Sequence, residues 1–296
     1  MTELLLFRFL QGIGACVGPT LARTVTRDLF GPRRAARALS LIAMLMALGP
    51  AVAPLLGGFV LLVLPWPVIF LFLACYGALM IFLLQVYLPE SLPAPQSLHP
   101  LNIVHNYAQL LTNRHYLAVT TASGLVYAGL MAYLSSSSFV YIDMLGVPVQ
   151  FFGFIFLATV IGYMAGSAVS ARLASRYDSQ QMLVLGALLC LLSTVTMWIG
   201  GTLLPQSVLV LMLPMAIYAV GMGLVLPHAM AMALAPFGHI AGTASSMLGF
   251  IQMSLSAGSA ALVGQLLRDT PQPMLATMCT ITLACLILSL LAVRSR

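Results

Sequence analysis

Of 296 residues, 61% are hydrophobic and only 6% are charged, where an ordinary soluble domain has about a quarter of its residues charged. Twelve basic residues against six acidic ones leave a net charge of +6, and all twelve are arginines. So few charges cannot cover a water-exposed surface, which excludes a soluble enzyme, a disordered chain and a typical nucleic-acid-binding domain.

At about 20 apolar residues per crossing, the apolar runs give nine candidate spans: 4–22, 39–64, 68–88, 117–140, 151–172, 182–201, 208–234, 241–267 and 274–293. The expected fold is an all-α polytopic membrane protein. Short turns at 65–67 and 202–207 make the helices on either side antiparallel neighbours. The longest polar interval, 89–116, holds Pro89, Pro93, Pro95 and Pro100 and reads as a linker. The expected domains are a three-helix bundle over 1–88, the linker 89–116, and a six-helix bundle over 117–296.

The arginines test this order. Arg23, Arg27, Arg33, Arg34 and Arg37 follow the first span; Arg114 lies in the linker, Arg172 and Arg176 after the fifth span, and Arg294 and Arg296 in the tail. Alternating spans puts these ten on one side and only Arg268 on the other. Positive charge concentrates on the cytoplasmic side, so the C-terminus is expected in the cytoplasm and, with nine spans, the N-terminus outside. A chain ordered this way reads as starting partway through a larger protein.

Arg8 lies inside the first span. A guanidinium there costs about 2.5–3.5 kcal/mol on insertion scales, so it requires a partner in the protein interior or reaches out to the interface. Gln11 at i+3 and Gly12 at i+4 share its helix face, and Gly14 and Gly18 extend a low surface for close packing. In the second span Gly49-Pro50 and Pro54 with Gly57-Gly58 predict a kinked helix, either merely irregular or shaped for a gate or bundle interface. His228, Gln252, Tyr127, Tyr133, Tyr163, Tyr218 and the serines at 135–138 offer polar groups to a cavity or to helix–helix contacts. The five cysteines sit in apolar runs without metal or disulfide spacing. No Walker A loop, H-E-x-x-H or G-x-S-x-G occurs. No cofactor and no enzyme activity are expected, and uphill transport would need an ion gradient.

The run Arg8-Phe9-Leu10-Gln11-Gly12-Ile13-Gly14-Ala15 resembles the fourth-helix motif R-x-x-Q-G-x-G-A of major facilitator drug/proton antiporters. Gly49-Pro50 through Gly57-Gly58 resembles their fifth-helix antiporter motif, with Ala53 where the family prefers glycine. Arg27-Asp28 and Ala241-Gly242-Thr243-Ala244-Ser245-Ser246 are similar to the Bcr/CflA branch.

This resemblance implies that the nine spans are helices four to twelve of twelve, in two bundles that rock around a midplane cavity. It implies proton-coupled efflux of drugs or small lipophilic compounds across a bacterial inner membrane by a monomer, with no nucleic-acid partner. Arg8 would tune proton exchange by favouring the charged form of a partner acid, and Gln11, His228 and Gln252 would line the path. Gly12, Gly14, Gly49, Pro50, Pro54, Gly57 and Gly58 would shape helix packing and gating. Arg172 and Arg176 would remain from a degenerate cytoplasmic loop motif. The coupling carboxylate that such antiporters carry in their first helix has no counterpart; Glu3, Asp28, Glu90, Asp143, Asp178 and Asp269 lie at span edges or in loops. A non-transporting fragment or a facilitative small-solute importer are the alternatives.

Overall fold

Hydrocarbon offers no hydrogen bonds to a backbone, so a chain this apolar satisfies its N–H and C=O groups within helices. A computed structural model describes residues 2–16, 18, 25, 49, 52–53, 56–88, 100–173, 176–268 and 270–294, and its regular elements there are all helical. They are α1 (Thr2–Ala15), α2 (Pro67–Tyr87), α3 (Pro100–Thr112), α4 (Arg114–Ser138), α5 (Val149–Leu173), α6 (Ser179–Leu203), α7 (Val208–Leu234), α8 (Ala241–Leu266) and α9 (Gln272–Arg294). A π-helical turn, Phe139–Met144, prolongs α4, and a 3-10 turn, Ala235–Ile240, joins α7 to α8.

Among the described residues seven helices, α2 and α4 to α9, are long and apolar enough to cross a membrane. Their limits fall within a few residues of the corresponding predicted spans. The first two predicted spans lie partly outside the described residues, with helix present at 2–15 and 56–63. The predicted linker interval contains α3, which its prolines had not suggested. Pro100, the last of those prolines, opens this helix, where its missing N–H costs nothing.

Local chemistry sets several boundaries. Asn113 separates α3 from α4, its side chain accepting a hydrogen bond from the Tyr116 amide at 2.8 Å. Asp178 and Gln181 form a reciprocal capping box at the start of α6. Gly146, at φ +67, takes the left-handed conformation that ends the π turn and frees the chain for α5.

The chain divides into two compact units, Met1–Gly49 with Val60–Leu98 and Pro50–Phe59 with His99–Arg296. In the first, α1 and α2 supply the regular structure of greatest length, and no residue of α2 is buried. In the second, α4 packs on α7, α8 and α9; α7 packs on α5 and α6; α6 also packs on α9.

Small residues bring α7 against its neighbours. A Cβ on Gly162 or Gly166 of α5 would collide with the backbone oxygens of Ala216 and Val220 of α7. A Cβ on Gly186 of α6 would lie 2.8 Å from the Gly221 oxygen, also too close though less severely. Lipid tails are as apolar as leucine, so such backbone approach and interhelical hydrogen bonds hold the bundle together. Of four fully buried tyrosines, two contribute to the second kind of contact. Tyr116 donates to the Ala244 oxygen of α8 at 2.7 Å and Tyr218 of α7 to the Val126 oxygen of α4, whereas Tyr133 donates to the Tyr141 hydroxyl at 2.9 Å within α4 and its π turn.

Candidate functional site: polar groups within the helices

Arg8 and Gln11 are hydrogen-bonded to each other. Helical spacing of three places both on one face of α1, and Arg8 Nη1 donates to Gln11 Oε1 at 3.0 Å. The guanidinium also stacks over Phe70 of α2, with Cζ 4.7 Å from the ring centroid. The two helices enclose a cleft of about 370 Å³ lined by Leu4, Phe7, Arg8, Gln11, Phe70, Leu73 and Ala74. Among the described residues its lining includes no acid. Arg8 is exposed within it, a planar cation held on an aromatic ring in a groove that is apolar apart from Arg8 and Gln11. Such a groove suits a lipophilic molecule with a polar group, or a carboxylate brought against the arginine.

The glycines of the two predicted motifs stand in open space. Among the described residues no heavy atom lies within 4 Å of a Cβ placed on Gly12, Gly14, Gly18, Gly49, Gly57 or Gly58. Pro50 and Pro54 lie outside the described residues. Close backbone packing occurs instead along α5, α6 and α7. The signal for it in the sequence is the Gly162-x-x-x-Gly166 spacing in α5 rather than the motif glycines.

His228 lies in the second unit, buried to 6% exposure. Its Nε2 is 3.0 Å from Ser170 Oγ on α5, and its Nδ1 is 3.1 Å from Ser179 Oγ on α6. One ring on α7 therefore ties three helices at the end of the bundle where exposed Arg172 and Arg176 lie. The two serines carried no sequence signal, since neither is near His228 in the chain.

Gln252 on α8 donates through Nε2 to Ser123 Oγ on α4 at 2.7 Å. Ser259 continues this seam by donating to the Ala128 oxygen at 2.8 Å, and Thr120, one turn before Ser123 on α4, is fully buried with no partner for its hydroxyl among the described residues. Arg8 with Gln11 belongs to the first unit and Gln252 with Ser123 to the second. The serines at 136 and 137 turn inward on their own helix, bonding to the Ala132 and Leu134 oxygens at 2.7 and 3.0 Å. Tyr127 and Tyr163 are half-buried. Cys190 and Cys285 are buried against the oxygens of Tyr218 and Ala122, whereas Cys16 and Cys75 are exposed.

The family model described as Major Facilitator Superfamily matches residues 1–262. The "Uncharacterized MFS-type transporter YdgK" of Bacillus subtilis is 31% identical over 89% of this chain and 66% of its own length. The "Bicyclomycin resistance protein homolog" of Haemophilus influenzae is 30% identical, over 96% of this chain and 71% of its own length. "Multidrug resistance protein D" of Escherichia coli is 28% identical, over 95% and 70% respectively. The chain therefore spans about two thirds of the length of these relatives. A bacterial homologue of the human lysosomal transporter Spinster, solved inward-facing and unoccupied, has the same fold at a TM-score of 0.58 and 14% identity, covering 92% of this chain and 71% of that one.

Proposed function

The chain belongs to the Major Facilitator Superfamily, and we propose that it forms the greater part of a proton-coupled exporter of drug-like lipophilic compounds. It is a multi-span helical membrane protein. The relatives named for bicyclomycin and multidrug resistance support the substrate class. The distribution of the arginines supports a bacterial inner membrane with the C-terminus in the cytoplasm. Two bundles moving about a cavity between them would carry the substrate, and the unit is a monomer.

The observation that carries this reading is Arg8 held between Gln11 and the Phe70 ring. The ring and the amide orient the guanidinium without neutralising it. A permanently charged, oriented cation in a low-dielectric groove lowers the proton affinity of any acid brought against it. That is the element a proton-exchange cycle requires: an acid that releases its proton when it meets Arg8 and binds one when it leaves. Gln11 sits on the same face to hydrogen-bond whatever enters the groove. In the second unit, Gln252 and Ser123 would present polar groups to the path, and His228 would hold the ends of α5, α6 and α7 in register.

The test is drug-induced proton movement in inverted membrane vesicles from cells expressing the chain. A lipophilic cation added to vesicles with an inside-acid gradient is expected to dissipate that gradient, and less so in an Arg8→Ala variant. A gradient unaffected by any compound that the cells resist would overturn proton coupling.

A second reading rests on the exposure of Arg8 and on the lack of any buried residue along α2. Lipid against an exposed guanidinium is costly, so further helices packed on α1 and α2 would be needed before transport occurs. Expression in a drug-sensitive strain separates the two: robust resistance conferred by the 296 residues alone would exclude it.

A further inference from the structure

We propose that α3 is an in-plane membrane anchor, a helix lying on the bilayer surface beside α4 and dipping one apolar stripe into the leaflet. The residues of α3 sort cleanly by face. At about 3.6 residues per turn, Ile103, Val104, Tyr107, Ala108, Leu110 and Leu111 fill one half of the helix. Asn102, His105, Asn106, Gln109 and Thr112 fill the other.

The apolar half is wider than its contact with the protein. One edge of it docks on the bundle: Leu110 is fully buried, and the Tyr107 hydroxyl lies 3.4 Å from Ser246 Oγ near the start of α8. The adjoining edge does not. Val104 is 64% exposed and Leu111 51% exposed, with Ala108 exposed between them. These three recur at i, i+4 and i+7 and make a continuous stripe.

The place of the helix identifies what covers that stripe. α3 packs on the beginnings of α4 and α8, and both are membrane-spanning. Only Asn113 separates it from α4. A helix abutting the ends of two spans lies at the level of the headgroups, where one side meets acyl chains and the other meets water. The stripe then continues the lipid-facing surface of the spans, and the polar half faces outward.

Charge agrees with this placement. Between Glu90 and Asp143 the chain has no acidic residue, while His105, Arg114 and His115 fall on or beside α3. Arg114, the first residue of α4, is exposed. The absence of acids on α3 and the exposed arginine beside it leave nothing on this helix to repel lipid headgroups. Within the polar half the Gln109 amide donates to His105 Nε2 at 3.1 Å, and Thr112 donates to the Ala108 oxygen at 2.9 Å. These bonds keep polar groups occupied along the side turned to water.

The test introduces a single tryptophan at Val104, Leu111 or Gln109 of the full chain, in vesicles of acyl-brominated phosphatidylcholine mixed with phosphatidylglycerol. Fluorescence is read as the difference from the unsubstituted chain. Val104 and Leu111 are exposed and Gln109 is half-buried, so monodisperse elution with unchanged helical circular dichroism checks the fold of each variant. Val104→Trp and Leu111→Trp are expected to be quenched by the brominated lipid at least about twofold more than Gln109→Trp, and Gln109→Trp alone by aqueous iodide. Iodide quenching at all three positions would overturn the proposal, since the stripe would then face water. Protection of positions 104 and 111 from both quenchers would overturn it as well, by showing that protein covers them. Bromolipid quenching at all three would refute the in-plane orientation.

Discussion

The Nε2 of His228 lies 3.0 Å from Ser170 Oγ, and the same imidazole reaches Ser179 through Nδ1. A side chain of α7 thus closes the ends of α5 and α6 around itself. Replacing His228 with Ala removes both bonds and leaves Ser170 buried without a partner. The expected loss is about 1–2 kcal/mol, read as a lower unfolding midpoint in detergent. His228→Gln, which keeps a donor and an acceptor at similar reach, is expected to recover part of it.

Gly166 is the tightest kind of contact in the bundle, because the Val220 backbone oxygen occupies the space a Cβ would take. Backbone cannot turn aside as a flexible side chain does. Gly166→Ala is expected to cost about 1–3 kcal/mol, and Gly166→Leu to abolish monodisperse folded protein on size-exclusion chromatography. Gly258→Ala, at a glycine with nothing within 4 Å, is expected to change stability by less than about 0.5 kcal/mol.

Arg8 stacks on Phe70 and donates to Gln11 at once, which a planar guanidinium does and an ammonium does not. Arg8→Lys keeps the charge but loses this orientation, so drug-driven dissipation of a proton gradient is expected to fall about tenfold, the equivalent of ~1.4 kcal/mol. Phe70→Leu should produce a smaller fall in the same assay, because it removes only the ring. An unchanged Arg8→Lys rate would exclude the oriented cation as the coupling element.

Gln252 and Ser123 join α8 to α4 through a single amide–hydroxyl bond of 2.7 Å. A double-mutant cycle with Gln252→Leu and Ser123→Ala, followed by unfolding in mixed micelles, is expected to give a coupling of about 0.6 kcal/mol. A coupling near zero would mean that this bond does not hold the two helices together.

Spans were legible because hydropathy acts locally: 208–234 reads as one apolar run and forms one helix, Val208–Leu234. Spacing within a helix was legible for the same reason. Arg8 and Gln11 meet because three residues make nearly one turn. α3 was hidden by the prolines before it, although its own residues alternate with helical period.

By itself, then, the sequence determined that this protein lives in a membrane, where its helices run and which arginine stands inside one. Composition and period suffice for that, since each residue's preference for lipid or water does not depend on the rest of the chain. Only the tertiary structure decided which helices touch and through which atoms. Ser170 and Ser179 became partners of His228, and Gly162 and Gly166 met Ala216 and Val220, across dozens of intervening residues. In an apolar surrounding, helices recognise one another through backbone proximity and a few polar bonds rather than through hydrophobicity. Those contacts depend on how each helix is rotated toward its neighbour, which no single segment specifies.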